Sequence, residues 1–135
     1  MDKTKTSVNG INGELRVRDL VVSTGDNDFA YLVGEILEIH KLGTPEHDSE
    51  NETDDVVVDF SIAAYSDERI KEIEAAASEL YGELRSFEEF PPDMVIMTPE
   101  KLIKITDLAK DEFNSLLVSE AQAKAFCDKV LAARK

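Results

Sequence analysis

A long acidic loop is the segment in which residue type and spacing come closest to a chemical site. Between Leu42 and Glu68 the sequence holds nine acidic residues and no lysine or arginine. Oxygen-rich loops can bind Ca²⁺, but an EF-hand loop needs glycine at its sixth position and glutamate at its twelfth. Counted from Asp48, those positions are Thr53 and Asp59. The calcium-binding spacing is therefore absent.

Three interpretations of this loop stay open: a solvated surface loop, a weak cation site and a docking loop for a basic protein. Runs of like charge are usually solvated, which favours the first interpretation. The residues of the candidate docking loop are Glu46, Asp48, Glu50, Glu52, Asp54 and Asp55.

Two histidines offer nitrogen ligands for a metal. His40 and His47 are the only histidines, and Asp48 or Glu50 is the nearest third ligand. Zinc sites normally show closely paired ligands or several cysteines. We therefore expect no structural zinc or calcium site and no other cofactor, with both histidines at the surface or at a strand end.

The one cysteine is a candidate nucleophile. Cys127 shares an apolar helical stripe with Ala123, Phe126, Val130 and Leu131. A reactive thiolate needs an exposed, electropositive setting, whereas a buried cysteine packs as a small apolar side chain. The stripe therefore predicts a buried and unreactive thiol.

Sequence motifs of catalysis are missing elsewhere in the chain. The sequence contains no Gly-x-Ser-x-Gly, His-Glu-x-x-His or Cys-x-x-Cys. The loop Ser23–Asp26 lacks the further glycines and the lysine of a phosphate-binding loop. We expect no catalytic residue and no enzymatic activity.

An aromatic and proline-rich loop is the main candidate for binding a partner. It contains Phe87, Phe90, Pro91 and Pro92. Consecutive prolines favour an extended conformation, and such a loop can lie on a peptide-binding surface. The alternative is that both phenylalanines cap the open end of a barrel. With Tyr31, the two phenylalanines form the predicted partner-binding set.

Five short strands must position these residues. The β-prone runs are Leu15–Val22, Phe29–His40, Val56–Phe60, Met94–Met97 and Leu102–Ile105. In the second run the apolar residues change parity next to Gly34, which predicts a bulge or sharp bend.

Helices are predicted after the third strand and at the C-terminus. Ser66 is a helix N-cap, and an apolar stripe predicts a helix over residues 66–84, with Gly82 weakening its last turn. The stripe is Ile70, Ile73, Ala77, Leu80, Tyr81 and Leu84. Residues 107–135 are predicted to be helical, and the polar residues 1–13 to form a flexible arm.

The strand pattern resembles the SH3-like barrel. The segments that carry this likeness are Val17–Val21, the glycine-bent strand Val33–Ile36, and the strand–turn–strand unit Val95–Ile105. The resemblance covers about residues 15–60 and 94–105. It implies one α+β domain with a mainly β core. We expect a five-stranded barrel over residues 15–105, with the 66–84 helix inserted between strands three and four.

A second resemblance concerns the genomic setting. On the segments Lys41–His47, Tyr65–Ile70 and Ala125–Cys127, the stretch from Asp19 to about Ala132 is similar to an uncharacterised family of small acidic proteins of Firmicutes conjugative or mobile elements. That family carries no known chemistry, so no functional residue is transferred from it.

Charge and composition narrow the function further. The net charge of −14 disfavours direct binding of nucleic acid and anionic lipid. One cysteine and the absence of a long apolar run predict a cytoplasmic protein. We expect a non-catalytic protein-interaction or accessory domain. The alternatives are an acidic DNA-mimic decoy that occupies a nucleic-acid-binding protein and, third, a metal-dependent hydrolase.

Overall fold

A five-stranded antiparallel sheet is the centre of the α+β fold in the computed structural model, which describes residues 7–45, 47, 52–83, 86–89 and 91–133. The strands are β1 (Ser7–Asn9), β2 (Glu14–Arg16), β3 (Leu20–Ser23), β4 (Val33–His40), β5 (Asp55–Asp59), β6 (Val95–Met97) and β7 (Leu102–Lys104). The helices are α1 (Asp67–Tyr81), α2 (Lys110–Ser115) and α3 (Glu120–Ala133), and a 3-10 turn (Pro99–Lys101) joins β6 to β7.

The main sheet has the order β6-β5-β4-β3-β7, with every neighbouring pair antiparallel. The expectation of five strands in one antiparallel sheet is confirmed. The expectation of a closed barrel is wrong, because β6 and β7 are the two edges of an open sheet and the described strands have no β6–β7 ladder. Each edge strand has only three residues, and the 3-10 turn directs β7 to β3 instead of to β6.

The bend predicted in the second strand lies in β4. Its register against β5 shifts between Ile36 and Glu38, which is a β-bulge. Just before it, Gly34 lies so close to β5 that a Cβ atom there would be 2.6 Å from the Asp59 carbonyl oxygen. Glycine is needed at this position because the backbones of the two strands approach too closely for a side chain.

The N-terminal segment differs from the expectation. Residues 7–13 were predicted to belong to a flexible arm. They instead form β1, which pairs with β2, and the turn that joins the two strands. Val8 and Ile11 are buried in the core, and the Ile11 N–H donates to the Leu102 carbonyl over 3.1 Å. The predicted strand Leu15–Val22 is likewise split in two by Arg18, whose φ is 83°. Residues 1–6 lie outside the described part of the chain.

Helix α1 begins where its sequence predicts, but it ends at Tyr81, three residues before the predicted end at residue 84. The Ser66 hydroxyl accepts a hydrogen bond from the Arg69 N–H over 3.1 Å, so Ser66 is the N-cap. Gly82 adopts a left-handed φ of 71° and donates its N–H to the Ser78 carbonyl. Gly82 therefore terminates the helix, which corrects the expectation that it lies inside the last turn. Leu84 lies outside the described residues.

The C-terminal helices pack on the same core. Leu116 and Leu117 are buried, and α3 buries Ala123 and Cys127. The Ser66 N–H donates to the Leu117 carbonyl over 2.9 Å. The start of α1 is thereby joined to the α2–α3 connection, and these helices complete the hydrophobic core within one chain.

A buried tyrosine links the sheet to α1. The Tyr65 hydroxyl accepts from the Val33 N–H over 2.9 Å and lies 2.8 Å and 3.0 Å from the carbonyl oxygens of Val33 and Phe60. Burial raises the pKa of this phenol, so it stays protonated and able to donate. One side chain thus satisfies main-chain groups at the start of β4 and just after β5.

We predict that Tyr65→Phe lowers the free energy of unfolding by about 1–3 kcal/mol, because buried main-chain groups lose their partner. Chemical denaturation of both proteins measures the difference. The matched control is Tyr81→Phe, which removes a hydroxyl from a side chain that is 55% exposed and should change stability by less than about 0.5 kcal/mol. Equal losses in the two variants would contradict the role of the Tyr65 hydroxyl.

Candidate functional site

A cleft of about 600 Å³ lies between α1 and the loop that leads into β6. Helix α1 forms one wall. Pro91, Pro92 and Met94 form part of the opposite wall, with Phe29 from the turn before β4. Its size is in the range of pockets that receive small ligands or the side chains of a partner.

The mouth of the cleft presents large apolar side chains to solvent. Leu80 is 51% exposed, Tyr81 is 55% exposed and Met94 is 69% exposed. Ala76 and Ala77 also line the cleft. Because alanine side chains are short, they leave open the space that larger side chains would fill.

The sequence pattern assigned this surface to the core. Leu80 and Tyr81 continue the apolar stripe of Ile70 and Ile73, and the stripe predicts that all four are covered. Ile70 and Ile73 do pack against the core, but the last turns of α1 extend past it. Ala77 was the sequence signal for a gap, since it is the one small residue of that stripe and its side chain fills less space than the isoleucines before it.

Arg69 lies at the buried side of the cleft, with only 3% of its surface exposed. Its guanidinium lies 3.4 Å from the carbonyl oxygens of Ala30 and Tyr31 and 3.7 Å from the Glu72 carboxylate. Burial lowers its pKa. Among the described residues its Nε has no hydrogen-bond partner. This arginine ties α1 to the turn before β4.

Carboxylates surround the cleft. Six acidic side chains line it, from α1, the start of α3, the turn before β4 and the loop into β6: Asp28, Glu72, Glu74, Glu79, Asp93 and Glu120. Arg69 is the one basic residue among its described lining residues. Two of the carboxylates also hold the walls together, because Glu72 accepts from the Glu120 N–H and Glu74 accepts from the Phe87 N–H, over 2.8 Å and 2.7 Å.

The predicted partner-binding residues have separate positions. Phe87 lines the cleft, with its ring edge-on to the Tyr65 ring at 5.8 Å between centroids. Tyr31 does not lie on the strand where it was expected, because β4 begins only at Val33. It lies in the preceding turn with a φ of 63°, and its hydroxyl occupies the space beside Gly25. Phe90 is outside the described residues.

The acidic loop is only partly a free surface. Of its six candidate docking residues, Glu46, Asp48 and Glu50 lie outside the described part. Glu52 is exposed, but the Asp54 carboxylate accepts from the Leu42 N–H over 2.7 Å. Asp55 is 2% exposed. Asp55 cannot present its charge to a partner from this buried position.

Both histidines make local contacts. His40 lies 3.1 Å from the Glu38 carboxylate. The His47 side chain is buried, against the expected surface or strand-end position, with Nε2 2.5 Å from the Thr53 carbonyl oxygen and 3.6 Å from the Asp55 carboxylate. Among the residues that the structure describes, no group of three His, Cys, Asp or Glu side chains is arranged to hold a metal.

Cys127 is buried on α3, as its stripe predicts, with 1% of its surface exposed. Its Sγ lies 3.8 Å from the Ser23 carbonyl oxygen. Burial raises the pKa of the thiol to about 12. The thiolate form that attacks electrophiles is therefore rare at neutral pH.

Comparison of the chain with protein-family models, with curated proteins and with solved structures finds no match in any of the three.

None of the helices in the described ranges combines the length and apolar character that a membrane crossing requires.

We predict that the native Cys127 thiol reacts with a soluble disulfide reagent at pH 8 at least about 100-fold more slowly than the denatured chain, because burial suppresses both access and ionisation. The matched control moves the thiol along the same helix, as Ala121→Cys in a Cys127→Ala background, since Ala121 is exposed. Labelling of the native wild type as fast as this control would contradict the prediction.

We predict that ~10 µM Zn²⁺ or Ca²⁺, or a chelator, changes the melting temperature by less than about 1 °C, because neither the histidines nor the acidic loop has the ligand spacing of a metal site. A metal ion that bound the folded state, present at a concentration well above its Kd, would raise the melting temperature by more than this. Thermal unfolding followed by fluorescence measures this. A metal-induced rise that His47→Gln abolishes would instead identify a site at the acidic loop.

Proposed function

We propose that this chain is a non-catalytic protein-interaction domain and that the cleft beside α1 receives apolar side chains of its partner. The observation that carries this proposal is the exposure of Leu80, Tyr81 and Met94 around one concave surface. Clustered apolar exposure on a folded domain is typical of an interaction site. Burying these side chains against a partner would supply the hydrophobic driving force for binding.

The walls of the cleft are held in place before any partner arrives. The Phe60 N–H donates to the Pro92 carbonyl over 2.8 Å. This hydrogen bond fixes the loop that leads into β6, called the proline loop after Pro91 and Pro92, to the end of β5. The hydrogen bonds that the Phe87 N–H donates to Glu74 and the Glu120 N–H donates to Glu72 fix the other borders. Preorganised walls favour binding because little conformational entropy is lost on association.

Three of the charged groups that line the cleft support binding in preference to catalysis. Arg69, Glu72 and Glu74 are engaged in contacts that join elements of the fold. General acid–base catalysis needs a group that is positioned to exchange a proton with a substrate. Residues with structural partners are poor candidates for that role.

We also infer that the sheet has an SH3-like topology without barrel closure. The meander β3-β4-β5-β6, the 3-10 turn after β6 and the return of β7 to pair with β3 support this inference. The buried single thiol of Cys127 supports a reducing, cytoplasmic location. Small domains of this class commonly present a groove to a polypeptide, although fold alone does not define function.

The experiment is a quantitative pull-down from the source cell, in which mass spectrometry compares wild type with Leu80→Ala/Met94→Ala. We expect this pair of changes to leave stability intact and to weaken the partner's binding by about 1–3 kcal/mol for each anchor. The matched control is Leu42→Ala/Val118→Ala, which removes two other exposed apolar side chains that do not line the cleft.

The same experiment discriminates the acidic decoy. A decoy depends on many exposed carboxylates, so its binding should weaken steeply with salt. If neutralising Glu46, Asp48, Glu50 and Glu52 abolishes capture while Leu80→Ala/Met94→Ala does not, and high salt reproduces the loss, the decoy function replaces the one proposed. If the cleft variant and its control lose equal amounts of partner binding, the cleft is rejected as the binding site.

A further inference from the structure

We propose that the occupant of the cleft is a basic polypeptide segment, in which an apolar anchor residue is flanked by lysine or arginine. This inference rests on the proposed function, since it assigns the chemistry of the partner to the same cleft. It adds the requirement of positive charge, which an apolar cleft alone does not impose.

Charge complementarity carries the proposal. Six carboxylate side chains line the cleft, against the single guanidinium of Arg69 among its described lining residues. That guanidinium is buried and faces the Glu72 carboxylate, so it cannot reverse the sign of the surface. A neutral or acidic segment would leave the carboxylates without a counter-charge, whereas lysine or arginine would supply one.

The position of the carboxylates sets the order of residues in the partner. Leu80 lines the cleft from α1 and Met94 from the loop into β6, and each follows an exposed carboxylate that also lines the cleft, Glu79 and Asp93 respectively. Asp28 and Glu120 mark the border formed by the turn before β4 and the start of α3. An anchor seated between Leu80 and Met94 therefore has carboxylates on each side. Basic residues on both flanks of the anchor can reach them.

The local medium strengthens this attraction. Charges beside an apolar wall are screened less than charges surrounded by water, and a cleft lined by one sign of charge concentrates oppositely charged ligands. A second copy of this chain is a poor occupant, because it carries the same net charge of −14. The cleft thus discriminates against self-association as well as against anionic partners.

The test selects ligands without assuming their sequence. A library of random 12-residue peptides is displayed on phage and selected on wild type, with counter-selection on Leu80→Ala/Met94→Ala to remove ligands that bind elsewhere. We expect the enriched peptides to contain a large apolar residue with lysine or arginine on both sides. Synthetic peptides of the enriched sequence are then titrated by fluorescence anisotropy.

Matched variants separate the local charges from the net charge. Asp28→Asn/Glu79→Gln/Asp93→Asn neutralises three exposed carboxylates at the cleft. The control Glu100→Gln/Asp107→Asn/Glu112→Gln removes the same charge at exposed positions that do not line it. At low salt we expect about tenfold weaker binding in the first variant and less than about threefold in the control, with the difference shrinking at high salt.

Each contrary outcome has a distinct meaning. Enrichment of neutral or acidic peptides that still depend on Leu80 and Met94 would overturn the basic partner and leave the proposed function standing. The same conclusion follows if the two charge variants weaken binding equally. Absence of any ligand that depends on Leu80 and Met94, or concentration-dependent dimerisation through the cleft, would overturn the basic-segment proposal. The first of these two results would count against the proposed function as well.

Discussion

The hydroxyl of Tyr65 is the interaction on which the arrangement of the sheet, α1 and the cleft depends. This hydroxyl accepts a hydrogen bond from the Val33 N–H and lies beside the Val33 carbonyl oxygen, both at the start of β4. It also lies beside the Phe60 carbonyl oxygen, just after β5. The next residue, Ser66, caps α1. The Tyr65 ring supports Phe87 in the cleft. A single buried phenol therefore fixes where the helix leaves the sheet and where one border of the cleft lies.

The cleft exists because α1 is longer than the core that it covers. Near its start, Ile70 and Ile73 pack on the core and Arg69 reaches the turn before β4. Towards its end, the alanines leave a gap facing the proline loop, and Leu80 stays half exposed. Burial of that side chain within the monomer would have stabilised the fold, so its exposure favours a role in binding. In the proposed function, the surrounding carboxylates restrict which partners can use the surface.

Much of the fold could be predicted because local patterns and tertiary contacts agree. The five strands, the Ser66 cap and the buried Cys127 follow from parity, capping chemistry and helical periodicity. The site could not be predicted from the same stripe. Periodicity identifies which side of α1 is apolar, but it does not show how far along the helix the core extends. Asp55 illustrates the converse error, since a residue in an acidic run is buried beside His47.

The sequence by itself determined the five strands of the main sheet, the helices and the strongly negative net charge. It left the choice among the possible interaction functions open. Those properties depend on residue type and on spacing within one segment. Only the tertiary structure decided that the sheet stays open, that Val8 and Ile11 join the core and that Leu80 and Met94 line the same cleft. These features depend on contacts between segments far apart in the chain, such as Ile11 with Leu102. Spacing within a segment carries no information about such contacts, because they are set by how the segments pack.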